Sequence, residues 1–429
     1  MKIIKYPKPD DWAALTKRPL LENKTLEPLV KQILEEVKTN KDFALFRFTE
    51  QFDQVRTTQL LVSNPELVAA SKQIPAELKS AIKLAKRNIK KFHQAQKEKI
   101  KPIETSKGIV CWRKSIAIEK VGLYIPGGTA PLFSTLLMLG IPAKLAGCKE
   151  IVLCTPPNKN GNINPAILYT AKLIGINKVF KVGGAQAIAA MAYGTESIPQ
   201  VYKIFGPGNQ FVTKAKELVQ QNGIAIDMPA GPSEVLIIAD KSSYAPFLAA
   251  DLLSQAEHGS DSQTILLSNS KAIIDRTMRE LEDQLELIPR KEIARKALNN
   301  CLFILFENLE ECIAFSNEYA PEHLILAVKD ALNFADKITN AGSVFLGNYS
   351  CESAGDYASG TNHTLPTNGY AKSYSGVSLD SFVKKISFQQ LSKEGLKNIG
   401  SAIELMAAAE GLEAHKNAVS IRLKFLENV

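Results

Sequence analysis

The chain has 429 residues, enough for two or three domains, and its 45% hydrophobic and 22% charged residues are typical of globular proteins. It has no apolar run long enough to span a membrane and no apolar segment near the N-terminus, so we expect neither a membrane anchor nor a secretory signal. The net charge is +8, but basic and acidic residues alternate. The most basic stretch, 83–101, has few aromatic residues, which favours a solvated helix face over a nucleic-acid groove.

The first predicted elements are helices, from about residue 23 to 103, because apolar residues recur at helical spacing and prolines interrupt them. From about 115 to 235, short apolar segments end in turns that open helices, and the clearest of these segments cover residues 121–125, 150–154, 179–182 and 204–205. Strands that alternate with helices in this way indicate βαβ units and a parallel sheet.

A second alternation follows, with helices expected over 245–257 and 273–287 and strands over 234–238, 264–267, 301–305, 323–326 and 343–346. Residues 350–378 are rich in Gly, Ser, Tyr, Asn and Thr and have almost no helical pattern, so we predict a functional loop there. Two amphipathic helices, over 394–410 and 412–426, are expected at the end of the chain.

These elements predict an α/β fold with two doubly wound, incomplete Rossmann-like parallel-sheet domains and a small helical C-terminal appendage. The predicted parts are an N-terminal arm that packs with the tail (1–22), a first α/β domain (23–120 with 235–378), a second α/β domain (121–234) and the helical appendage (379–429). Six scattered cysteines without a C-x-x-C pair predict reduced thiols in a cytoplasmic protein and no cysteine zinc site.

Four of the five histidines, His258, His323, His363 and His415, lie in polar strings that also contain carboxylates or amides. Imidazole, carboxylate and amide oxygen bind borderline divalent metals, and imidazole and carboxylate transfer protons near neutral pH. If the strings meet in space, the chain is a metal-dependent enzyme. His93 follows a lysine-rich stretch, and we expect it on a solvated helix face.

Each string has a plainer interpretation when it is taken alone. Gln255 and His258 share a helix face, where they form either a metal pair or a hydrogen-bonded network. The dipeptide at 322–323 is either an acid/base pair or an exposed glutamate beside a capping histidine. The side chains of Asp356, His363, Glu410 and His415 could equally make loop or surface hydrogen bonds.

The glycine turns also leave two alternatives open. Backbone N–H groups at a helix N-terminus suit a dinucleotide pyrophosphate, but the closest string, Gly206-Pro-Gly-Asn-Gln-Phe211, lacks the third glycine of the dinucleotide fingerprint. The turns are therefore either a cofactor site or simple tight connections. Gln186 and Asn209, which follow two of the turns, favour the cofactor site slightly.

Taken together, the strings resemble the signature strings of the histidinol dehydrogenase family. The resemblance covers the chain from about residue 20 to its end and keeps the order of the strings. They are Val121-Gly-Leu-Tyr-Ile-Pro-Gly-Gly128, Val182-Gly-Gly-Ala-Gln186, Phe205-Gly-Pro-Gly-Asn209, Ala230-Gly-Pro-Ser-Glu234, Ser254-Gln-Ala-Glu-His-Gly-Ser-Asp-Ser-Gln263, Ala320-Pro-Glu-His-Leu324, Gly355-Asp-Tyr-Ala-Ser-Gly-Thr-Asn-His363 and Glu410-Gly-Leu-Glu-Ala-His415.

The resemblance implies the last two steps of histidine biosynthesis, in which L-histidinol is oxidised to L-histidine through bound L-histidinal. It implies two NAD⁺ molecules used in succession, an atypical mode of NAD binding, one zinc ion per subunit and an intertwined homodimer. On this basis the second α/β domain binds NAD, the first carries most of the metal and catalytic site, and the appendage completes the partner subunit's site. Neither nucleic acid nor a membrane is expected as a partner.

The resemblance also implies residue roles. Glu322 and His323 are the acid/base pair, and the remaining roles belong to three sets. The zinc ligands are Gln255, His258, Asp356 and, supplied across the dimer, His415; the cofactor contacts are Tyr124, Gln186 and Asn209; the substrate contacts are Ser233, His363 and Glu410, together with Gln255, His258, His323, Asp356 and His415.

We expect His323 to accept the substrate's hydroxyl proton and Glu322 to help a water molecule attack the aldehyde. A covalent cysteine route is disfavoured, because the cysteines lie in apolar segments or lack an activating base. The alternatives are a related zinc- and NAD-dependent dehydrogenase of another small amino alcohol or polyol, and a metal-binding regulator without enzymatic activity.

Overall fold

The computed structural model describes residues 2–18, 25–127, 131–229 and 231–428. Contacts divide the chain into two compact units: the first comprises Met1–Gln96 and Ile118–Phe382, and the second comprises Lys97–Ala117 and Val383–Val429. Within the described ranges, no helix has the length and apolarity needed to cross a membrane.

The helices follow in chain order: α1 (Pro9–Leu15), α2 (Leu26–Asp53, interrupted at Lys41), α3 (Asn64–Ala69), α4 (Ala76–Gln94), α5 (Phe133–Ala146), α6 (Pro165–Ile174), α7 (Gly184–Tyr193), α8 (Gln210–Gln221), α9 (Ala245–Ala256), α10 (Lys271–Leu285), α11 (Lys291–Leu298), α12 (Leu309–Tyr319), α13 (Glu352–Tyr357), α14 (Lys393–Ala409) and α15 (Glu413–Glu427). The strands are β1 (Lys2–Lys5), β2 (Ile103–Ser106), β3 (Ile109–Ala117), β4 (Lys120–Tyr124), β5 (Glu150–Thr155), β6 (Lys178–Lys181), β7 (Lys203–Phe205), β8 (Ala225–Ile226), β9 (Glu234–Ala239), β10 (Gln263–Ser268), β11 (Leu302–Leu305), β12 (His323–Ala327), β13 (Ser343–Leu346) and β14 (Val383–Leu391).

A five-stranded parallel sheet in the first unit has the order β6-β5-β4-β7-β8. Alternate residues of β4 enter cores on opposite faces, with Val121 and Leu123 on one face and Tyr124 on the other. Helices α4, α5 and α6 contribute to the first core, and α2, α7 and α8 contribute to the second. Because both faces are buried, the strands are continuous apolar segments.

A six-stranded parallel sheet in the same unit has the order β1-β11-β10-β9-β12-β13. Its residues also alternate between two cores, one shared with α9, α10 and α11 and the other with α12 and Trp12 of α1. The predicted α/β fold with parallel sheets is therefore confirmed. β9 and β12 are parallel neighbours in this sheet, so their N-terminal ends lie side by side.

The grouping of two segments differs from the predicted boundaries. The sequence pattern predicts that residues 23–120 belong with the later strands, whereas α2 and α4 contribute to the cores of the five-stranded sheet. Residues 97–117 group instead with the C-terminal segment. An amphipathic pattern shows that a helix buries one face, but it does not identify the surface that covers that face.

The second unit contains the two expected C-terminal helices, α14 and α15, and an antiparallel sheet of order β14-β3-β2. The sequence pattern predicts helices alone for residues 379–429. Residues of β14 are mostly exposed, so their sequence lacks a clear apolar alternation, and their partner β3 is remote in the sequence. Local pattern therefore gave no signal for this strand.

The expectation for His93 was wrong, because its side chain is 0% exposed. It lies on the same face of α4 as Ile82, Ala85 and Ile89, at helical spacing, and the lysines occupy other faces. The four-residue spacing from Ile89 to His93 indicates a shared buried face, and the surrounding lysines made that pattern hard to recognise.

Candidate active site

Two adjacent strands position Glu322 and His323, the predicted acid/base pair. β12 begins at His323, directly after Glu322, and β9 begins at Glu234. The backbone of Glu234 contacts both side chains: its N–H donates to Glu322 Oε2 at 2.9 Å, and its carbonyl oxygen accepts from His323 Nδ1 at 3.2 Å. Because a carbonyl only accepts, Nδ1 carries a proton, and Nε2 is the ring atom left for chemistry.

Helix α13 places two carboxylates around the same imidazole. Glu352 and Asp356 are four residues apart, so they share a helix face. Glu352 Oε1 lies 3.8 Å from His323 Nδ1, and Asp356 Oδ1 lies 3.5 Å from Nε2. Potential ligand atoms of the three residues all lie within 4.8 Å of one another, which is close enough to share a metal ion. The helix stands in a segment for which we expected no regular structure.

Helix α9 contributes Gln255 and His258 from its C-terminal end. Gln255 is fully buried, and in the amide orientation that pairs donors with acceptors its nitrogen donates to Glu352 at 2.5 and 3.3 Å. Its oxygen accepts from Glu234 N–H at 3.0 Å. His258 is an exposed residue, yet desolvation of its imidazole lowers its pKa, and the nearby charge of Asp356 acts in the opposite direction.

The buried groups influence one another's protonation. Burial raises the pKa of both Glu322 and Glu352 to about 8. Burial alone would lower the pKa of His323, but the carboxyl groups of Glu352 and Glu322 outweigh it and raise the value to about 10. Burial alone would raise the pKa of Asp356, but its contact with His323 outweighs burial and the pKa is lowered. The protonation of each of these groups therefore depends on the charge of its neighbours.

The side chain of Glu234 ties this cluster to the N-terminal segment. Its carboxylate accepts two hydrogen bonds from Arg18, each of 3.0 Å, and one of 2.9 Å from Asn368 N–H. The Arg18 guanidinium also lies 3.6 Å from the centre of the Tyr319 ring. A paired arginine and carboxylate of this kind hold a fixed geometry. The strand end that orients Glu322 and His323 is therefore anchored from both its backbone and its side chain.

The predicted cofactor residues meet at the carboxyl ends of the five-stranded sheet. Tyr124, Gln186 and Asn209 all line one cavity of about 470 Å³. Gly184 N–H donates to the Tyr124 hydroxyl at 3.0 Å, and burial raises the pKa of that hydroxyl to about 12, so it stays protonated. The carboxyl ends of parallel strands are the usual place for a ligand in such a sheet.

A second cavity, of about 630 Å³, lies beside the first. Its lining includes Ser233, His258 and Asn209, so Asn209 borders both cavities. The Asn209 side-chain oxygen accepts from the backbone N–H groups of Phe211 and Val212 and so caps α8. Ligands bound in the two cavities would therefore share Asn209 as a neighbour.

His363 lies at the end of the loop that follows α13. Its Nδ1 donates to the carbonyl oxygen of Asp356 at 2.9 Å, and the hydroxyl of Thr135 donates to its Nε2 at 3.0 Å. Both ring nitrogens thus have partners, so a direct contact with substrate must replace the bond from Thr135. Glu410 and His415 belong to the second unit, where both side chains are exposed near the turn between α14 and α15.

The four buried cysteines lack the properties of a catalytic thiolate. All six are free thiols, and burial raises the pKa of Cys148 to about 11 and that of Cys301 to about 12. The pKa values of Cys154 and Cys312 are raised for the same reason. These thiols stay protonated near neutral pH, which makes them poor nucleophiles.

Sequence reasoning missed three residues of the cluster: Arg18, Glu234 and Glu352. Two signals were present. Glu352 precedes Asp356 by one helical turn, and Glu234 ends one of the quoted strings. Arg18 gave no signal, since only folding brings it to Glu234.

Two parallel sheets, a cavity at the strand ends and a buried imidazole among carboxyl groups are features of an α/β enzyme. Comparison with known proteins makes the class specific. The histidinol dehydrogenase family profile matches residues 16–423. Histidinol dehydrogenases of Bacteroides fragilis (strain YCH46) and Bacteroides thetaiotaomicron are 59% and 58% identical, over 99% and 100% of both chains. The crystal structure of histidinol dehydrogenase from Elizabethkingia anophelis matches with a TM-score of 0.98 and 58% identity, over 100% of this chain and 99% of that one.

The chain belongs to the histidinol dehydrogenase family, as its polar strings predicted. It is therefore an NAD-dependent dehydrogenase, and the alternative of a regulator without enzymatic activity is set aside.

Proposed function

We propose that the protein oxidises L-histidinol to L-histidine through L-histidinal, with one zinc ion per subunit and two NAD⁺ molecules used in succession. The reaction follows from membership of the family; the metal, the cofactor site and the residue roles are the finer proposal. The observation that carries it is the convergence of Glu322, His323 and Asp356 beside the buried amide of Gln255.

The proposed zinc ligands are Gln255, His258 and Asp356 of one subunit and His415 of the other. The fit is supported by two buried atoms, His323 Nε2 and Asp356 Oδ1, which lie 3.5 Å apart and make no hydrogen bond within the described residues, since such atoms ordinarily face a ligand or an ion. Imidazole, carboxylate and amide oxygen are donors that zinc accepts. A bound zinc ion would supply positive charge that holds the imidazole and amino nitrogens of the substrate.

His323 is proposed to accept the hydroxyl proton of the substrate. Its Nδ1 is fixed by the carbonyl of Glu234, so the proton would go to Nε2. The ring must be neutral to act as a base, and the carboxyl groups of Glu352, Glu322 and Asp356 favour its protonated form by raising its pKa. Engagement of Asp356 by a cation would remove one of these contributions and so favour the neutral ring.

Glu322 is proposed to orient the water molecule that attacks the aldehyde. The backbone N–H of Glu234 holds one of its oxygens, and His323 Nδ1 lies 3.6 Å from the same oxygen. NAD is proposed to occupy the 470 Å³ cavity with Tyr124, Gln186 and Asn209 as contacts. Since Asn209 also borders the cavity of Ser233 and His258, the nicotinamide ring can lie next to the substrate.

We predict that the purified, zinc-loaded protein will produce two NADH per L-histidinol consumed, measured by absorbance with product analysis for L-histidine. Adding L-histidinal should produce one NADH, because only the second oxidation remains. Another amino alcohol and a polyol serve as controls for the alternative substrates. Turnover of a control compound with none of histidinol would exclude the proposal.

We also propose a homodimer in which His415 completes the partner subunit's site. The second unit exposes large apolar side chains on α14 and α15, among them Leu405 (73% exposed) and Phe425 (62% exposed), together with Met406 and Ile421. Clustered exposed apolar residues mark protein interaction sites.

The free thiols of the cysteines support the cytoplasm as the proposed compartment.

A mixing experiment tests the shared site. We expect His323→Asn and His415→Asn proteins each to be inactive and their equimolar mixture, after subunit exchange, to regain about a quarter of wild-type activity, because half of the dimers would contain one intact site. Exchange is verified with two affinity tags. Verified heterodimers without activity would place both histidines of a site in one chain.

A further inference from the structure

The buried histidine of α4 lies outside the site but is connected to it. The His93 Nδ1–H donates to the carbonyl oxygen of Ile89 at 2.9 Å. Since the carbonyl can only accept, Nδ1 carries the proton and Nε2 is an acceptor. The amide nitrogen of Asn362 lies 3.4 Å from Nε2 and donates to it.

The amide of Asn362 has partners on three sides. Besides His93, its nitrogen donates to the carbonyl of Met138 on α5 at 2.7 Å. Its oxygen accepts from Thr364 N–H at 3.0 Å. The side chain is buried, so each of these bonds is made away from water. Asn362 therefore joins α4, α5 and its own loop in one orientation.

A second contact from α4 reaches the same loop. Asn88 donates to the carbonyl of Ala358 at 2.8 Å. Gly360 adopts a φ of +120°, and a Cβ at this position would lie 3.0 Å from the carbonyl oxygen of Asn88. The backbone of residues 358–364 is thus held closely against α4 at two points.

This loop connects two proposed site residues. It begins directly after α13, which carries Asp356, and His363 is the immediate neighbour of Asn362. The His363 ring is fixed in turn by the Asp356 carbonyl and the Thr135 hydroxyl. A displacement of Asn362 would move both partners, and site geometry tolerates displacements of only a fraction of an ångström.

We propose that His93 is a positioning residue: by accepting a hydrogen bond from Asn362 it fixes the loop 358–364, and through that loop the His363 ring and the end of the helix that carries Asp356. The inference rests on the proposed function, because that function assigns site roles to His363 and Asp356. An apolar residue would fill the same space on the apolar face of α4, so burial alone does not require an imidazole here.

The test compares two replacements at one position. His93→Leu keeps an apolar side chain of similar size but removes the acceptor, and His93→Gln places an amide oxygen near the position of Nε2. Ile82→Val on the same buried face is the control for a general loss of stability in α4. Steady-state kinetics with histidinol are measured on the zinc-loaded proteins, and amide hydrogen exchange of residues 358–364 is measured on the metal-free proteins.

We expect His93→Leu to lower kcat/KM at least tenfold and to speed amide exchange at Thr364 at least tenfold. His93→Gln should restore both to within about threefold of wild type, and Ile82→Val should leave both unchanged. Folded His93→Leu protein with kinetics and exchange within twofold of wild type would overturn the inference. If His93→Leu does not fold, Asn88→Ala tests the second contact in the same way, and wild-type behaviour of that variant would count equally against it. Wild-type protein without histidinol turnover would instead refute the proposed function, while the exchange measurement would still test the loop.

Discussion

His323→Asn should lower kcat for histidinol by about 10² to 10⁴, the range that a general base contributes. The asparagine amide can still donate to the Glu234 carbonyl in place of Nδ1–H, so the strand end keeps its partner. What it loses is Nε2, the atom proposed to accept the hydroxyl proton. The large effect should therefore fall mainly on kcat.

The pH profile separates a base from a structural residue. In the wild type, kcat should rise with pH as His323 loses its proton, and this limb should be absent in His323→Asn. Glu318→Gln, which changes an exposed ion pair with Lys372, serves as the control and should retain the wild-type profile. If His323→Asn keeps the wild-type kcat and the same rise of kcat with pH, another group must be the base.

Removal of the metal should lower activity to below about 1% of the starting value, and added zinc should restore it, because the metal is proposed to hold the substrate's reacting end. Asp356→Asn should weaken zinc binding by at least about tenfold, since a neutral amide replaces a carboxylate ligand. Asp275→Asn, which changes a surface carboxylate paired with Lys271, is the matched control. Metal per chain is measured by elemental analysis independently of activity.

The affinity for zinc should depend on pH, and the direction of the change can be predicted. Glu322 and Glu352, with pKa values raised to about 8, hold protons near pH 7, and a cation beside them favours the ionised forms. Metal binding should therefore release protons, and zinc affinity should increase as pH rises from about 6 to 8.

Fully active protein after verified loss of metal would contradict the zinc proposal.

Local sequence pattern predicted the parallel sheets well for a physical reason. A strand covered on both faces must be apolar throughout, so β4, β5, β9 and β12 were visible as short apolar segments between turns. β14 is mostly exposed and pairs with a strand from a distant segment, so it lacked that signature. Local sequence pattern misses an element such as β14 because its pairing partner lies far away in the sequence.

The chemistry of the site shows the same division. The polar strings were enough to identify the family and the kinds of side chain at the site, because residue type and local spacing can be read directly from the chain. Folding was needed to place Glu352 beside His323, to pair Arg18 with Glu234 and to bury His93 against Asn362. These contacts depend on the packing of strands and helices that are remote in sequence, and so do the burial and charge that set the protonation of the cluster.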